Sequence, residues 1–269
     1  MKVWRLFVVA PMALIVSAPF AAADEIARSG NTRVALLELY SSEGCSSCPP
    51  AEEWVSKLLS NPDLFKKFVP VVFHVDYWDY LGWKDIFSQE RFSARQRNYA
   101  QSWNSSSVYT PGFVLNGLEW RQWSRQPPAV PVPSEPAGDL KIEQISSGRF
   151  KIIYQPLNGK GPDSSGKIFV HAALLQSGIV SNVKAGENAG RRLAHDFAAV
   201  DFVESGMELG KDGFFEKEIM LKSFSGEMGR SGVNQWAVAA WVTRGLDPAP
   251  IQAAGGYLSY PGMAAQGSG

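Results

Sequence analysis

The only two cysteines of this 269-residue chain, Cys45 and Cys48, are separated by two serines and form a CxxC pair. A thiolate is the nucleophile of disulfide exchange and also a ligand for soft metal ions, so the pair could perform either chemistry. A disulfide across two intervening residues closes a very small loop and restricts the unfolded chain little. The spacing therefore favours a functional pair over a purely structural crosslink.

The residues around the pair predict a strand before it and a helix after it. The apolar run that begins at Val34 and continues to Tyr40 indicates a buried strand. Pro49 and Pro50 suit a first helical turn, because the N–H that proline lacks has no partner there. The apolar residues that follow recur at helical spacing; they are Ala51, Trp54, Val55, Leu58 and Leu59.

A helix N-terminus at this position would activate one cysteine of the pair. Free backbone N–H groups and the positive end of the helix dipole stabilise a thiolate, and can lower a cysteine pKa from about 8.5 to about 3.5–7.5. Cys45, nearer to the exposed end, is the predicted nucleophile. Cys48, one turn further along, is predicted to resolve the mixed disulfide.

Two segments resemble the thioredoxin-like superfamily. The predicted strand, CxxC pair and helix are similar to its active site, and Val108–Gly117 is similar to the segment that faces that site. The resemblance implies a cis peptide bond between Thr110 and Pro111, with both residues holding a substrate backbone against the sulfur atoms. It also implies a hairpin at Asn116-Gly117, a dipeptide that favours a tight hairpin on its own physics.

Three longer strings are similar to a family of secreted thioredoxin-like proteins that is classed as a domain of unknown function: ELYSSEGCSSCPPAE, FHVDYWDYLGWKD and YTPGFVLNG. That resemblance implies a fold and a site but no substrate. It suggests Glu38 as the counterpart of a buried acid that moves protons at the resolving cysteine. Glu38 stands one residue further from Cys45 than that acid usually does, so an ordinary surface position is the alternative.

A second apolar run, Val69–Tyr77, predicts a strand parallel to the first. Parallel strands end at the same edge of a sheet, so the loop Asp76–Asp85 should lie beside the cysteines. The aromatic residues of this loop could offer an apolar surface to a polypeptide substrate or pack beneath the loop. They are Tyr77, Trp78, Tyr80 and Trp83. Phe87–Trp103 then predicts a helix that covers the sheet.

The N-terminal residues Met1–Ala23 predict a cleavable signal peptide. Lys2 and Arg5 provide a positive start, Leu6–Phe20 is apolar but too short for a stable membrane span, and alanines precede the expected cleavage site. We therefore expect a periplasmic or secreted protein with no stable membrane insertion after cleavage. Loss of the two cations leaves 24 basic against 26 acidic residues, which argues against a nucleic-acid partner.

The composition changes in the middle of the chain. We predict a thioredoxin-like domain over 24–125, a linker over 126–138 that contains five prolines, a β-rich domain over 139–262 and a flexible tail over 263–269. Short alternating runs after Leu140 predict about seven antiparallel strands. The predicted fold class is thus an α/β thioredoxin-like domain followed by a mainly antiparallel, sandwich-like β domain.

A loop and two histidines in the second half of the chain are interpreted as structural and not as parts of a functional site. Gly186–Arg192 is bounded by glycines and is interpreted as an ordinary turn, although a similar string occurs in the same secreted family. His171 and His195 stand in apparent strands, where a buried, hydrogen-bonded histidine is the usual explanation.

The favoured function is a thiol–disulfide oxidoreductase that uses Cys45 and Cys48 on a protein substrate or redox partner and needs no cofactor. One alternative is a carrier of a soft ion such as Cu(I), bound by the two thiolates with or without His74. Another is a binding protein whose disulfide is inert. Haem attachment is disfavoured, because Pro49 stands where the CxxCH motif requires histidine.

Overall fold

The fold is described from a computed structural model of the whole chain. The structure describes residues 23–124, 129–157, 167–222, 230–245 and 247–259, and of residues 230–234 only the backbone. Residues 1–22 of the predicted signal peptide, residues 126–128 of the predicted linker and the predicted tail lie outside these ranges. No helix within the described ranges is long and apolar enough to cross a membrane.

Strands dominate the described residues, which contain fourteen strands and two α-helices. In chain order these are β1 Asp24–Arg28, β2 Ala35–Ser41, α1 Pro49–Ser56, β3 Phe68–His74, α2 Glu90–Ser102, β4 Gly112–Leu115, β5 Leu118–Glu119, β6 Asp139–Ser146, β7 Arg149–Gln155, β8 Ile168–Asn182, β9 Arg192–His195, β10 Ala198–Gly206, β11 Glu208–Leu209, β12 Phe215–Met220, β13 Arg230–Arg244 and β14 Pro250–Tyr257. Short 3-10 turns cover Lys57–Ser60, Asp79–Leu81 and Arg121–Ser124.

The elements around the cysteines follow the sequence expectation. Strands β2 and β3 pair in parallel, with Leu39 opposite Val72, and β4 adds to β2 in antiparallel orientation. Helix α1 begins directly after Cys48, and its apolar side packs on one face of this sheet through Trp54 and Val55. Helix α2 covers the other face, so both faces of β2 and β3 are buried.

The hairpin between β4 and β5 is also confirmed. Asn116 and Gly117 both have positive φ angles, 52° and 85°, as a two-residue type I′ turn requires. The Asn116 side-chain oxygen accepts the backbone N–H of Leu36 at 2.9 Å. The turn is therefore tied to β2, the strand that leads to the cysteines.

The predicted fold class is wrong. The described strands lie in two sheets, and a nine-stranded sheet runs in the order β14-β13-β8-β10-β3-β2-β4-β5, with β9 paired to β8. This sheet combines strands from both halves of the chain, joined where β10 pairs in parallel with β3 at Ala198 and Val72. The remaining strands form a five-stranded sheet in the order β1-β6-β7-β12-β11.

The physical reason lies in the long central strands of the second half. Alternate residues of β8 enter different cores: Val170 and Leu174 pack toward the five-stranded sheet, whereas Ala173 and Leu175 pack toward the core beneath α2. A strand buried on both faces suits the middle of a large sheet. These strands therefore extend the sheet that begins with β2 instead of forming a separate sandwich.

A buried ion pair joins β2 to α2. The Arg95 guanidinium donates from Nε to Glu38 Oε1 at 2.7 Å and from Nη2 to the Tyr99 hydroxyl at 3.0 Å, and both charged residues are buried. The Arg95 guanidinium carbon also lies 4.9 Å from the ring centre of Trp241 on β13. The pair thus connects the two halves of the large sheet.

Removal of one partner should destabilise the protein strongly, because the other charge would remain buried without compensation. We expect Glu38→Leu to lower the free energy of unfolding by about 3–5 kcal/mol, and addition of Arg95→Met to recover at least half of that loss. Urea denaturation followed by tryptophan fluorescence measures both variants.

The matched control is Glu218→Gln, which removes an exposed partner of Arg149 at 3.0 Å and should change stability by less than about 1 kcal/mol. A Glu38→Leu effect as small as that of the control would show that the buried pair is not a major source of stability.

Candidate functional site

The two cysteines lie in the short loop that leads from β2 into α1. Cys48 is the N-cap residue of α1, and its carbonyl accepts the backbone N–H groups of Ala51 at 2.9 Å and Glu52 at 3.1 Å. Both cysteines are free thiols and both are buried, with 1% and 0% of their surface exposed. The structure thus confirms the predicted position of the pair at a helix N-terminus.

Hydrogen bonds stabilise a thiolate at Cys45. The Cys48 thiol and the Ser47 hydroxyl, whose oxygen lies 3.2 Å from Cys45 Sγ, together lower the pKa of Cys45 to about 6 in spite of its burial. The Thr110 hydroxyl acts in the same direction. A large fraction of Cys45 is therefore ionised at neutral pH.

Cys48 behaves in the opposite way. Burial raises the pKa of Cys48 far above that of an ordinary thiol, and its hydrogen bond to Cys45 and the negative charge there raise it further. The pair therefore consists of one thiolate and one protonated thiol. This asymmetry favours Cys45 as the attacking group and Cys48 as the resolving group.

The Thr110-Pro111 segment faces the cysteines through a cis peptide bond. The Thr110 carbonyl oxygen lies 3.8 Å from Cys45 Sγ and 3.4 Å from the Ser47 hydroxyl oxygen. The Trp78 indole N–H donates to the Thr110 hydroxyl oxygen at 2.8 Å, which leaves the hydroxyl proton free to point at the thiolate. Trp78 therefore orients a group that contacts the reactive sulfur.

The loop between β3 and α2 lies beside the cysteine loop, as predicted for parallel strands. A Cβ atom added to Gly44 would lie 3.0 Å from Trp78 Cβ, so the two loops are in close contact. Tyr77 donates to Gln96 at 3.0 Å and Trp83 donates to the buried Glu43 at 2.6 Å, whereas Tyr80 is 78% exposed. Three of the aromatic residues thus have anchoring partners, and Tyr80 is available to a partner molecule.

Glu38 is buried but is not placed beside the cysteines. It lies on the face of β2 that α2 covers, paired with Arg95, whereas the neighbouring Leu37 and Leu39 point to the face that α1 covers. Successive residues of a strand point to opposite faces, so the extra residue between Glu38 and Cys45 turns the carboxylate away from the thiols.

A loop from the second half of the chain holds the cysteine loop in place. Asn188, which is completely buried, donates from Nδ2 to the carbonyl oxygens of Glu43 at 2.9 Å and Cys45 at 2.8 Å. The Glu187 carboxylate accepts the backbone N–H of Ser46 at 2.9 Å and its hydroxyl at 2.7 Å. Sequence reasoning interpreted this loop as an ordinary turn; the signal was an asparagine between two glycines, Gly186 and Gly190.

A buried polar cluster lies under the same loop. His74 Nδ1 is 2.7 Å from Asp85 Oδ2, and His195 Nδ1 is 2.5 Å from Glu52 Oε2. His195 Nε2 also lies 3.1 Å from Glu43 Oε1. Burial lowers the pKa of His195, but the charges and hydrogen bonds of Glu52 and Glu43 together outweigh it and raise that pKa to about 10.

Three residues of this cluster have the donor atoms of a metal site. Glu52, His74 and His195 each offer one potential ligand atom within 4.8 Å of the other two. His74 is therefore engaged with the carboxylates of this cluster. His195 was predicted to be a buried, hydrogen-bonded histidine, as it is, but the cluster itself cannot be recognised from the positions of its members in the sequence.

The pH dependence of alkylation tests the thiolate at Cys45. We expect the rate of Cys45 alkylation by iodoacetamide to rise with a midpoint near pH 6 and to level off above about pH 7.5, because only the thiolate reacts. Ser47→Ala should raise this midpoint by about one pH unit, since it removes one hydrogen bond to a charged group.

The matched control for the alkylation experiment is Ser46→Ala, because the Ser46 hydroxyl bonds to Glu187 and not to the sulfur. Its midpoint should stay close to that of the parent protein. A parent midpoint above about pH 8, the value of an ordinary thiol, would contradict thiolate stabilisation.

Asn188→Ala should destabilise the protein and loosen the cysteine loop. Two buried carbonyl groups would lose their donor, at a cost of about 2 kcal/mol or more. Urea denaturation measures the loss, and Asn182→Ala, at the exposed end of β8, is the control that should stay within about 0.5 kcal/mol of the parent. If both variants unfold alike, Asn188 does not support the loop.

Two solved structures have a similar architecture. The crystal structure of protein AGR_C_4864 from Agrobacterium tumefaciens is similar, with a TM-score of 0.55 and 21% identity over 88% of this chain and 99% of that one. HBP35 of Porphyromonas gingivalis has a TM-score of 0.56 and 12% identity over 90% of this chain and 81% of its own. At these identities the likeness shows a shared fold and nothing about activity.

No curated protein matches the sequence. The family model described as "Protein of unknown function (DUF1223)" matches residues 36–232, which include the cysteine loop, the cis-proline segment, the Asn188 loop and both histidines of the cluster. This chain belongs to the DUF1223 family.

Proposed function

We propose that this protein is a thiol–disulfide oxidoreductase that acts on polypeptides outside the cytoplasm. The observation that carries the proposal is the asymmetric pair: a Cys45 thiolate with a pKa of about 6, and a protonated Cys48 behind it. The local similarity of this site to thioredoxin-like active sites supports the same chemistry, although the fold class expected with it is wrong. The predicted signal peptide supports an oxidising compartment.

The reaction transfers two electrons between substrate and protein through two successive thiol–disulfide exchanges. When the protein is reduced, the Cys45 thiolate attacks a substrate disulfide, forms a mixed disulfide and releases one substrate thiolate. Cys48 then loses its proton and attacks Cys45 Sγ, which forms the Cys45–Cys48 disulfide and releases the second substrate thiolate. In the reverse direction a substrate thiolate attacks the protein disulfide; the substrate forms a disulfide and loses two electrons, which reduce the Cys45–Cys48 disulfide to two thiols.

The surroundings of the site suit an extended polypeptide. The carbonyl group of Thr110 lies next to Cys45 Sγ, and the backbone around the cis-proline offers hydrogen-bonding groups to a substrate chain. Apolar side chains near these segments remain exposed, with Tyr80 at 78%, Leu118 at 67% and Tyr109 at 43%. Exposed large apolar residues beside a reactive group are suited to contact another protein.

The low pKa of Cys45 also suggests the direction of electron flow. Stabilising the thiolate stabilises the reduced form of the pair and therefore raises its reduction potential. A pKa of about 6 lies between those of thioredoxin, about 7, and DsbA, about 3.5. We therefore propose that the protein accepts electrons from substrate thiols, that is, it donates a disulfide.

Equilibration with glutathione under metal-free conditions tests the function. We expect a reduction potential between about −270 mV, as in thioredoxin, and about −120 mV, as in DsbA. We also expect Cys48→Ser to accumulate a mixed disulfide with glutathione through Cys45, and Cys45→Ser to form far less, because burial by itself still raises the pKa of Cys48 and keeps that thiol protonated.

A potential near −270 mV would reverse the proposed direction and indicate a reductase that needs an electron source. A pair that never equilibrates with glutathione would overturn the redox function and leave the soft-metal carrier and the inert disulfide as explanations. The matched control is Ser46→Ala, which lies between the cysteines and should retain the two-electron equilibrium.

A further inference from the structure

The buried cluster beneath the cysteine loop is not used by the proposed redox reaction. Its central residues come from three separate parts of the chain: Glu52 from α1, His74 from the end of β3 and His195 from the end of β9. Each has 7% or less of its surface exposed. Two histidines and a carboxylate enclosed together are unusual unless protons or a cation compensate the charge.

The orientation of His74 is set from outside the cluster. Asp85 accepts the backbone N–H of Glu43 at 2.8 Å and that of Phe87 at 2.9 Å, which identifies it as an acceptor carboxylate. His74 Nδ1, at 2.7 Å from Asp85, therefore carries a proton and donates it. The opposite nitrogen, Nε2, points to Glu52 Oε1 at 3.9 Å and has no hydrogen-bond partner among the described residues.

His195 repeats this arrangement on the other side of Glu52. One of its nitrogens, Nε2, lies 3.1 Å from Glu43 Oε1, and Nδ1 lies 2.5 Å from Glu52 Oε2. Each imidazole thus has one carboxylate on its outer nitrogen and shares Glu52 on its inner nitrogen. Imidazoles that bind metal ions typically have this kind of outer carboxylate, which fixes the ring and its tautomer.

We propose that Glu52, His74 and His195 bind one divalent transition-metal ion of the Zn²⁺ class. Two imidazole nitrogens and one carboxylate oxygen form a His₂Glu donor set that Zn²⁺ accepts in proteins. Two ligand atoms about 2.1 Å from one tetrahedral ion lie about 3.4 Å apart. This value falls between the 2.5 Å that separates His195 Nδ1 from Glu52 Oε2 and the 3.9 Å that separates His74 Nε2 from Glu52 Oε1. Asp85 and Glu43 would hold the two imidazoles from outside.

Three buried atoms of this cluster have no hydrogen-bond partner among the described residues: His74 Nε2, His195 Nε2 and Glu43 Oε1. A protonated His74 would direct a buried Nε2–H toward an oxygen too distant for a hydrogen bond, and a neutral His74 would direct a lone pair toward a carboxylate. A cation between them would give His74 Nε2 the partner it lacks, beside the Ser41 hydroxyl that already donates to Glu52 Oε1 at 2.5 Å. Nitrogen ligands also distinguish the site from those of Ca²⁺ and Mg²⁺, which take oxygen ligands.

The site is separate from the thiol pair, so its test must remove the thiolates. We would use the full chain with Cys45→Ser and Cys48→Ser, titrate it with Zn²⁺ against a chelator of known affinity, and measure bound zinc by mass spectrometry. We expect one tightly bound Zn²⁺ per chain. Co²⁺ in the same position should produce visible d–d absorption without the intense near-ultraviolet bands of thiolate ligation.

Three further substitutions in that background identify the ligands. Glu52→Gln should weaken Zn²⁺ binding by at least about 100-fold, and Asp85→Asn by about 10- to 100-fold, as observed for outer partners of metal-binding histidines. The control is His171→Gln, since His171 is equally buried but bonds to Thr243 and Glu204 away from the cluster. Zinc affinity in this control should be unchanged.

Absence of stoichiometric Zn²⁺ and Co²⁺ binding in the folded double-serine protein would overturn the proposal without any substitution in the cluster. Unchanged binding in a Glu52→Gln protein with native circular dichroism would also overturn it. Neither result bears on the redox chemistry of Cys45 and Cys48, which the glutathione experiment tests separately.

Discussion

The candidate site depends on the parallel pairing of β2 with β3. The register places Ser41 opposite His74, so the two strands end at the same level and both following loops begin at one edge of the sheet. One loop carries Cys45 and the other carries Trp78, and their contact at Gly44 follows from this arrangement. Without the parallel register Trp78 would not reach the cysteine loop, and His74 would not lie beside Glu52.

Sequence reasoning succeeded where the signal was local. The apolar run of β2, the prolines at the start of α1 and the Asn116-Gly117 turn each specify their own conformation within a few residues. Sheet membership is a different matter, because a short alternating strand can pair with several neighbours at similar cost. The alternation in β8 indicated a strand, but only the shared core of both halves decides that it continues the sheet of β3.

The parts of the site that sequence reasoning missed are those supplied across long chain separations. Asn188 and His195 come from the second half of the chain, which was predicted to be a separate domain, yet they contact Glu43, Cys45 and Glu52. A buried asparagine in a loop has no periodic pattern, and a histidine has no partner visible in sequence. By contrast, the orientation of Glu38 could have been predicted from the number of residues between it and Cys45, because one additional residue places it on the other face of the strand.

The charge of a buried carboxylate is compensated differently on the two faces of the sheet. Glu38 is neutralised by Arg95, a permanent cation, at 2.7 Å. Glu52 faces two imidazoles, whose charge depends on bound protons or a bound cation. Positive charges on His195 and His74 lower the pKa of Glu52 in spite of its burial, which makes it a weak base for the Cys48 thiol.

Deprotonation of Cys48 must therefore be promoted by something other than Glu52, and the proposed reaction provides this. Burial is the main reason that the pKa of Cys48 is raised, and the free Cys45 thiolate raises it further, both by accepting its hydrogen bond and by its negative charge. Once Cys45 is bound in a mixed disulfide, that charge is gone and both effects weaken. The pKa of Cys48 then falls at the step in which its thiolate is required, so the attacking cysteine itself determines when the resolving cysteine becomes reactive.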